Sequence, residues 1–222
     1  MYIVLKRIID ILISLIALIC LLPIFIPIIL LLRFTAEGEV FYFQQRIGLK
    51  NSTFKIWKFA TMLKNSMNMG TGSITLQNDF RVTKVGRILR KTKLNELPQI
   101  FNILIGDISL VGPRPLVIND FNAYPKNIQD VIYNVKPGLT GLGSLIFRDE
   151  EKIISENSDQ KDPHKYYKKH IAPYKGNLEL YYQKNKSLLF DIKIIILTAW
   201  VIIFPNSRLY EKWFLDLPKK NF

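Results

Sequence analysis

One arginine stands between two prolines in Gly112-Pro113-Arg114-Pro115, and one glutamate, Glu96, follows Asn95 just ahead of an apolar run. Those residue types suit phosphate chemistry. A guanidinium offers a planar, two-pronged donor set for phosphate oxygens, and flanking prolines reduce the entropy lost on binding. A carboxylate such as Glu96 can serve as a nucleophile or as a ligand for a hard cation. The spacing predicts a helix over 95–105, with Asn95 as its N-cap, Glu96 and Pro98 in its first turn and Gly106 as its stop. Such a helix would aim free backbone N–H groups at whatever sits near Asn95 and Glu96. Each feature also has an ordinary structural reading. An isolated Gly-Pro-Arg-Pro is a common turn, and Asn followed by Glu is a common way to start a helix.

Composition narrows the partners. The 222 residues carry 31 Lys+Arg against 18 Asp+Glu, a net charge of +13, and 49% are hydrophobic. A chain of this make-up folds and seeks an anionic partner: phosphate esters, nucleic acid or an acidic membrane surface. The single cysteine, Cys20, excludes an internal disulfide scaffold, and two histidines, His164 and His170, argue against a His-rich metal centre. Neither a Walker-type phosphate loop, a dinucleotide-binding glycine motif nor a nucleophile-elbow serine motif is present.

The elements that must position these residues begin with a membrane-seeking segment. Ile11–Leu32 is 22 residues without a charge, about 33 Å as a straight helix and long enough to cross a bilayer core. Pro23 and Pro27 interrupt it, which predicts a bend near 22–27. Lys6 and Arg7 precede the run, while Arg33, Arg46, Lys50, Lys55 and Lys58 follow it. Two basic flanks are satisfied most simply when both ends lie on the cytoplasmic side. The reading is therefore a re-entrant helix-break-helix over 1–34, hinged at Pro23 and Pro27, with a cytoplasmic domain over 35–222. Basic residues beside such a segment meet anionic lipid headgroups, which disfavours nucleic acid as the partner.

Val40–Gln44 and Thr53–Phe59 read as a β-hairpin, 64–79 as a mobile polar loop, and Val82–Lys93 as a helix bearing Arg87, Arg90 and Lys91. Residues 136–144 form a glycine-punctuated loop, 146–170 a charged surface with an acidic run Asp149-Glu150-Glu151, and Leu178–Lys184 a helix. The second apolar stretch, 187–204, is broken by Asp191 and Lys193. That leaves too short an uncharged run to span, so it reads as an interfacial helix. The fold class is α+β, mostly helical, with a small β-hairpin and amphipathic interfacial helices.

Taken in order, KRIID…LLP, FQQRIG, KIWKFATM, LRKTKLNELPQIFNILIGDISLVGPRP, KPGLTG and KSLLFDIKIIILTAW closely resemble the bacterial monotopic phosphoglycosyl transferases, also called the bacterial sugar transferase family. The resemblance covers nearly the whole chain. It implies transfer of a phosphosugar from a UDP-sugar to polyprenyl (undecaprenyl) phosphate with release of UMP, the first step of a capsule, O-antigen or exopolysaccharide. It implies Mg²⁺, a re-entrant helix in one leaflet, and a position on the cytoplasmic face of the bacterial inner membrane. The sugar, the nucleotide and any homo-oligomer are left open. The family mechanism uses an Asp of an Asp-Glu pair to form a phosphosugar-enzyme, which polyprenyl phosphate then attacks.

Two positions depart from that pattern. The pair is Asn95-Glu96, and Ala60 replaces the usual Arg of the family's Lys-Phe-Arg-Ser/Thr-Met motif. A carboxamide is a poor nucleophile and a weak ligand for a hard cation. Three readings follow: Glu96 as nucleophile or metal ligand, Glu96 as general base for direct attack, or a catalytically impaired member acting as scaffold or regulator. On the resemblance, Glu96 and Asn95 are the catalytic pair, Arg114, Arg90 and Lys58 the phosphate partners, and Glu96 with Asp107 the metal candidates, although Asp107 serves equally well as a loop brace.

Overall fold

The computed structural model describes residues 1–35, 37–70, 75–76, 78–157 and 163–220. Helix α1, Tyr2–Phe34, is unbroken and contains both Pro23 and Pro27, so the expected turn-back does not interrupt the helix. Its buried positions Asp10, Ser14, Phe25, Ile28 and Leu32 recur at helical spacing and form one stripe along its length. The other faces are apolar and open, among them Ile16, Ile19, Leu22, Ile26 and Leu30. Strands β1 (Phe41–Ile47) and β2 (Thr53–Phe59) pair antiparallel, with Phe41 opposite Phe59 and Ile47 opposite Thr53. β1 thus runs three residues beyond the expected Gln44. Helix α2, Lys84–Lys91, is capped by the Thr83 hydroxyl, which accepts the Gly86 N–H.

The helix expected over 95–105 is shorter. Residues Leu94–Glu96 form a 3₁₀ turn entered through Lys93 at φ 60°, and α3 spans only Gln99–Ile105, with Pro98 at its N-cap. Asn95 makes no capping bond. The N–H groups of Glu96 and Leu97 are already given to the carbonyls of Lys93 and Leu94, so the anticipated free donors are spent. Proline at 98 marks the boundary because it has no N–H to carry the hydrogen-bonded run onward, although Leu97 before it is itself helical at φ −52°, ψ −38°.

Short strands β3 (Ser109–Val111) and β4 (Gly138–Thr140) pair in parallel. Between them lie α4 (Ile118–Asn122) and α5 (Lys126–Gln129). Helices α6 (Leu142–Ile146), α7 (Glu150–Asn157) and α8 (Pro163–Tyr166) follow. A π-helical turn at Tyr167–Ile171 then leads into α9 (Ala172–Asn185), α10 (Leu188–Ile203) and α11 (Leu209–Trp213). The segment 146–170 is more than a charged surface, since Ile154 and Tyr167 enter the main core beside Leu178, Ile194 and Leu197. A second cluster joins Phe25, Ile28 and Leu32 of α1 to Phe59 and Leu89.

The loop over 64–79 is pinned where it is described. Buried Arg81 donates to the carbonyls of Ser66 and Met69 and pairs with Asp79. Residues 71–74 and 77 of that loop, and 158–162 of the charged segment, lie outside the described residues.

The first turns of α1 tie it to the rest of the protein. Arg7 donates to the carbonyls of Ile103 and Leu104 at the end of α3, and Asp10 accepts the Leu110 N–H. Lys6 and Tyr2 both reach Asp191 of α10, at 2.7 and 2.9 Å. Lys6 and Arg7 were counted as free flanking charge from the sequence. In the structure they are internal partners.

The glycines of GPRP and KPGLTG have a common cause. A Cβ on Gly141 would lie 2.0 Å from the Gly112 carbonyl oxygen, and one on Gly138 2.1 Å from the Gly112 nitrogen. The backbones of β3 and β4 touch where any side chain would part them. Gly141→Ala is expected to cost about 1–3 kcal/mol through overpacking. Thermal unfolding of the detergent-solubilised protein checks this, with the melting temperature falling about 2–4 °C for each kcal/mol.

Candidate active site

The site assembles from three pieces: β2, the turn before α3, and the loop after β3. Asn102, fully buried on α3, sets the first two against each other. Its Oδ1 accepts the Trp57 N–H at 2.9 Å and its Nδ2 donates to the Lys55 carbonyl at 2.8 Å, so its carboxamide continues the hydrogen bonding along the edge of β2. Asp107 accepts from the same Nδ2 at 2.9 Å and fixes the amide's orientation. That leaves Lys58, one residue beyond Trp57, beside Glu96 in the turn ahead of α3.

Glu96 Oε1 lies 3.3 Å from Lys58 Nζ and 3.5 Å from the Arg114 guanidinium. Arg46 of β1 completes the cationic wall. It donates to the Pro115 carbonyl at 3.0 Å and to Gln44, while its Nε is buried without a partner. Arg46, Lys58, Gln99 and Arg114 line one small cavity. Burial opposes the charge on Glu96, but Lys58, Arg114 and Lys93 outweigh it and hold the carboxyl far below the usual carboxylate range. Burial pushes the Lys58 ammonium down to about 7; Glu96 opposes that shift, while Arg46 and Arg114 add to it. The Glu96 carboxylate in turn strengthens the hold of Arg114 on its proton. At neutral pH Glu96, Arg46 and Arg114 are charged and Lys58 stands near its midpoint, so the cluster carries more positive than negative charge.

The residues singled out from the sequence are therefore only partly united. Glu96, Arg114 and Lys58 meet. Arg90 is paired with Glu151 and acts on Lys58 through its field alone. Asp107 sits at the opposite end of α3 from Glu96 as the brace of Asn102. Asn95 is 5% exposed and its Oδ1 is buried without a hydrogen-bond partner. The acidic run is not a solvated loop throughout, because Glu150 pairs at 2.9 Å with the buried Lys175 and Glu151 takes Arg90. Arg46 was missed, having been read as flanking charge; its place in FQQRIG, inside a predicted strand, was the available signal.

Mg²⁺ finds no preformed protein cage here. Among the described residues no group of three or more His, Cys, Asp or Glu could hold a metal ion, and Glu96 is already matched by two cations. This donor set fits Mg²⁺ only as one carboxylate beside a diphosphate that brings the remaining oxygens.

The chain belongs to the family described as bacterial sugar transferase, which matches residues 1–205. Over 199 residues, 89% of this chain and 40% of the other, it is 36% identical to a UDP-glucose:undecaprenyl-phosphate glucose-1-phosphate transferase of Klebsiella pneumoniae. It is 34% identical over 207 residues to an exopolysaccharide production protein ExoY of Sinorhizobium fredii, covering 87% of this chain and 83% of that one. An uncharacterized sugar transferase EpsL of Bacillus subtilis is 34% identical over 196 residues, 88% of this chain and 86% of the relative. The chain thus spans less than half the length of the Klebsiella relative and most of the length of the other two.

The depressed Lys58 makes the binding of any anion beside it pH-dependent, and UDP is the probe. An anion beside Lys58 favours its charged form, so above pH 7 binding must take up a proton. The Kd for UDP is expected to rise between pH 7.5 and 9, approaching tenfold per unit, and to flatten in Lys58→Arg, whose guanidinium does not titrate there. Isothermal titration calorimetry in buffers of different ionisation enthalpy reads both the affinity and the proton.

Proposed function

We propose that the protein is a membrane-associated phosphoglycosyl transferase that moves a sugar phosphate from a UDP-sugar to polyprenyl phosphate. The observation that carries this reading is the Glu96 carboxylate held between Lys58 and Arg114 in a pocket with surplus positive charge. The reaction breaks the phosphoanhydride bond of the UDP-sugar and releases UMP. It forms another phosphoanhydride bond, between the sugar phosphate and the lipid phosphate. Because one such bond replaces another, catalysis consists chiefly of gathering anions and stabilising charge at the transferred phosphorus. Arg114 and Lys58 offer the donors for that charge, and Arg46 extends the cationic wall behind them. The names of the relatives support undecaprenyl phosphate as acceptor and a UDP-sugar as donor.

The depressed basicity of Glu96 suits a nucleophile or cation ligand and unsuits a general base, whose pKa should lie near the working pH. Glu96 would be the protein ligand of an Mg²⁺ ion bound with the nucleotide diphosphate, which would supply further neutralisation of that charge.

The packing of α1 supports the proposed membrane arrangement. Its N-terminal turns grip α3 and α10, and its C-terminal turns pack on the hairpin. Both ends resting on one body supports a monotopic insertion into the cytoplasmic face of the inner membrane, with the open apolar faces of α1 and α10 in lipid. The glycan started by this step is an exopolysaccharide, capsule or lipopolysaccharide.

A second reading, loss of catalysis, is favoured by the buried Asn95 at the family's nucleophile position. One experiment separates them. UMP release from a panel of UDP-sugars with undecaprenyl phosphate and Mg²⁺ is expected for the wild type and should fall at least about 100-fold in Glu96→Gln. A wild type that releases no UMP from any donor would leave the scaffold reading standing.

A further inference from the structure

The Pro113-Arg114-Pro115 loop cannot satisfy its own backbone. Two of its three residues lack an N–H, so it cannot pair as a strand or close as a helix. Its polar groups are instead taken by side chains and strands from elsewhere. The Pro113 carbonyl accepts the Gly138 N–H at 2.8 Å, and the Pro115 carbonyl accepts from Arg46. The Arg114 N–H turns to the buried carboxylate of Glu179 on α9.

The remaining groups on either side of Pro115 meet a single atom. The Tyr133 hydroxyl donates to the Arg114 carbonyl at 2.8 Å and accepts the Leu116 N–H at 2.9 Å. Tyr133 is 1% exposed, its ring is stacked on Phe121, and its own carbonyl accepts the Lys50 N–H from the hairpin turn. The ring is therefore fixed independently of the hydroxyl. Burial pushes the phenol well above its ordinary range, so the group remains a donor across all working pH values.

We propose that Tyr133 is a positioning residue for Arg114, its hydroxyl splinting the loop across Pro115 so that the guanidinium is held toward the phosphate site before a ligand arrives. This rests on the reading of Arg114 as a phosphate grip. A splinted arginine loses little freedom on binding, whereas a loose one must be ordered at the ligand's expense. Nothing in the sequence around Tyr133 signals the role, because the residue it serves lies nineteen positions earlier.

The test is a double-mutant cycle on the detergent-solubilised full chain, with UDP as the probe and calorimetric Kd as the readout. Tyr133→Phe keeps the ring and removes the splint. It is expected to weaken UDP about fivefold, the effect of ordering one loose side chain at the ligand's expense. In an Arg114→Ala background the same change should alter the Kd less than about twofold, since there is no guanidinium left to position. Amide exchange provides a second readout: the Arg114 and Leu116 amides should exchange faster in Tyr133→Phe while the β1–β2 hairpin keeps its protection. An equal loss in both backgrounds, no loss in either, or unaltered exchange at 114 and 116 would overturn the proposal. Wild-type protein that fails to bind UDP, or whose affinity is indifferent to Arg114→Ala, removes the phosphate-grip reading itself. Wild-type binding that depends on Arg114 but not on Tyr133 removes only the positioning role.

Discussion

A single carboxylate stands among more cations than it can neutralise, and the rest of the site is arranged around that imbalance. Glu96 is shielded from water and faces Lys58 and Arg114, with Arg46 behind them. Burying charges is costly unless they are matched, and one anion does not match this set. The surplus is tolerable because Arg46 and Arg114 are held by fixed backbone and side-chain partners, and because an incoming diphosphate would complete the balance. Lys58 is the cation most easily discharged, its pKa lowered first by burial and then by Arg46 and Arg114. Attraction for an anion and repulsion among these cations are two expressions of the same electrostatics.

Holding like charges together demands a stiff frame, and the frame is built from unusual backbone contacts. Asn102 lends its side chain to the edge of β2, so α3 and the hairpin behave as one unit. Gly112, Gly138 and Gly141 let β3 and β4 touch more closely than any Cβ permits. The loop carrying Arg114 hangs from that contact. In this design, precision comes from groups that never meet a ligand: an amide, three missing side chains and a phenol.

How much of this could be read from residues alone varies with the range of the interaction. The hairpin was visible in its aromatic and β-branched runs, and α2 in its basic, amphipathic pattern ahead of the NELPQ turn. These depend on neighbours in sequence. The convergence of Glu96, Lys58 and Arg114 was not visible in periodicity or spacing. It was expected only because the ordered motifs resemble a known family. The reading failed where long-range partners decided the outcome. Asn95 and Glu96 had the composition of a helix start, but the left-handed Lys93 and Pro98 break the segment into a 3₁₀ turn and a shorter helix. Asp107 read equally as a metal candidate and as a loop brace, and its carboxylate accepts from Asn102. Glu150 and Glu151 read as solvated charges because their partners, Lys175 and Arg90, lie 25 and 61 residues away in sequence.

The same contacts couple membrane insertion to the geometry of the site. Arg7 is among the first charged residues of α1, and its guanidinium closes the last carbonyls of α3. A cation at a helix C-terminus is favoured both by the dipole and by the unpaired carbonyls it satisfies. Asn102 then carries the position of α3 to β2, and β2 carries Lys58. Hydrogen bonds at Arg7 and Asn102, joined by the backbone of α3 and β2, connect the membrane-seeking helix to the cation beside Glu96. Lys6 and Tyr2 add a parallel tie to Asp191 on α10, whose outer face is also apolar. If α1 and α10 are both seated in lipid, a shift in their depth must either break these bonds or move the site with them. In the proposed reaction a water-soluble nucleotide and a lipid-borne phosphate must reach the same carboxylate. For such an enzyme, hydrogen bonds between the immersed helices and the catalytic frame supply the alignment that hydrophobic insertion alone cannot, because insertion sets depth without fixing rotation.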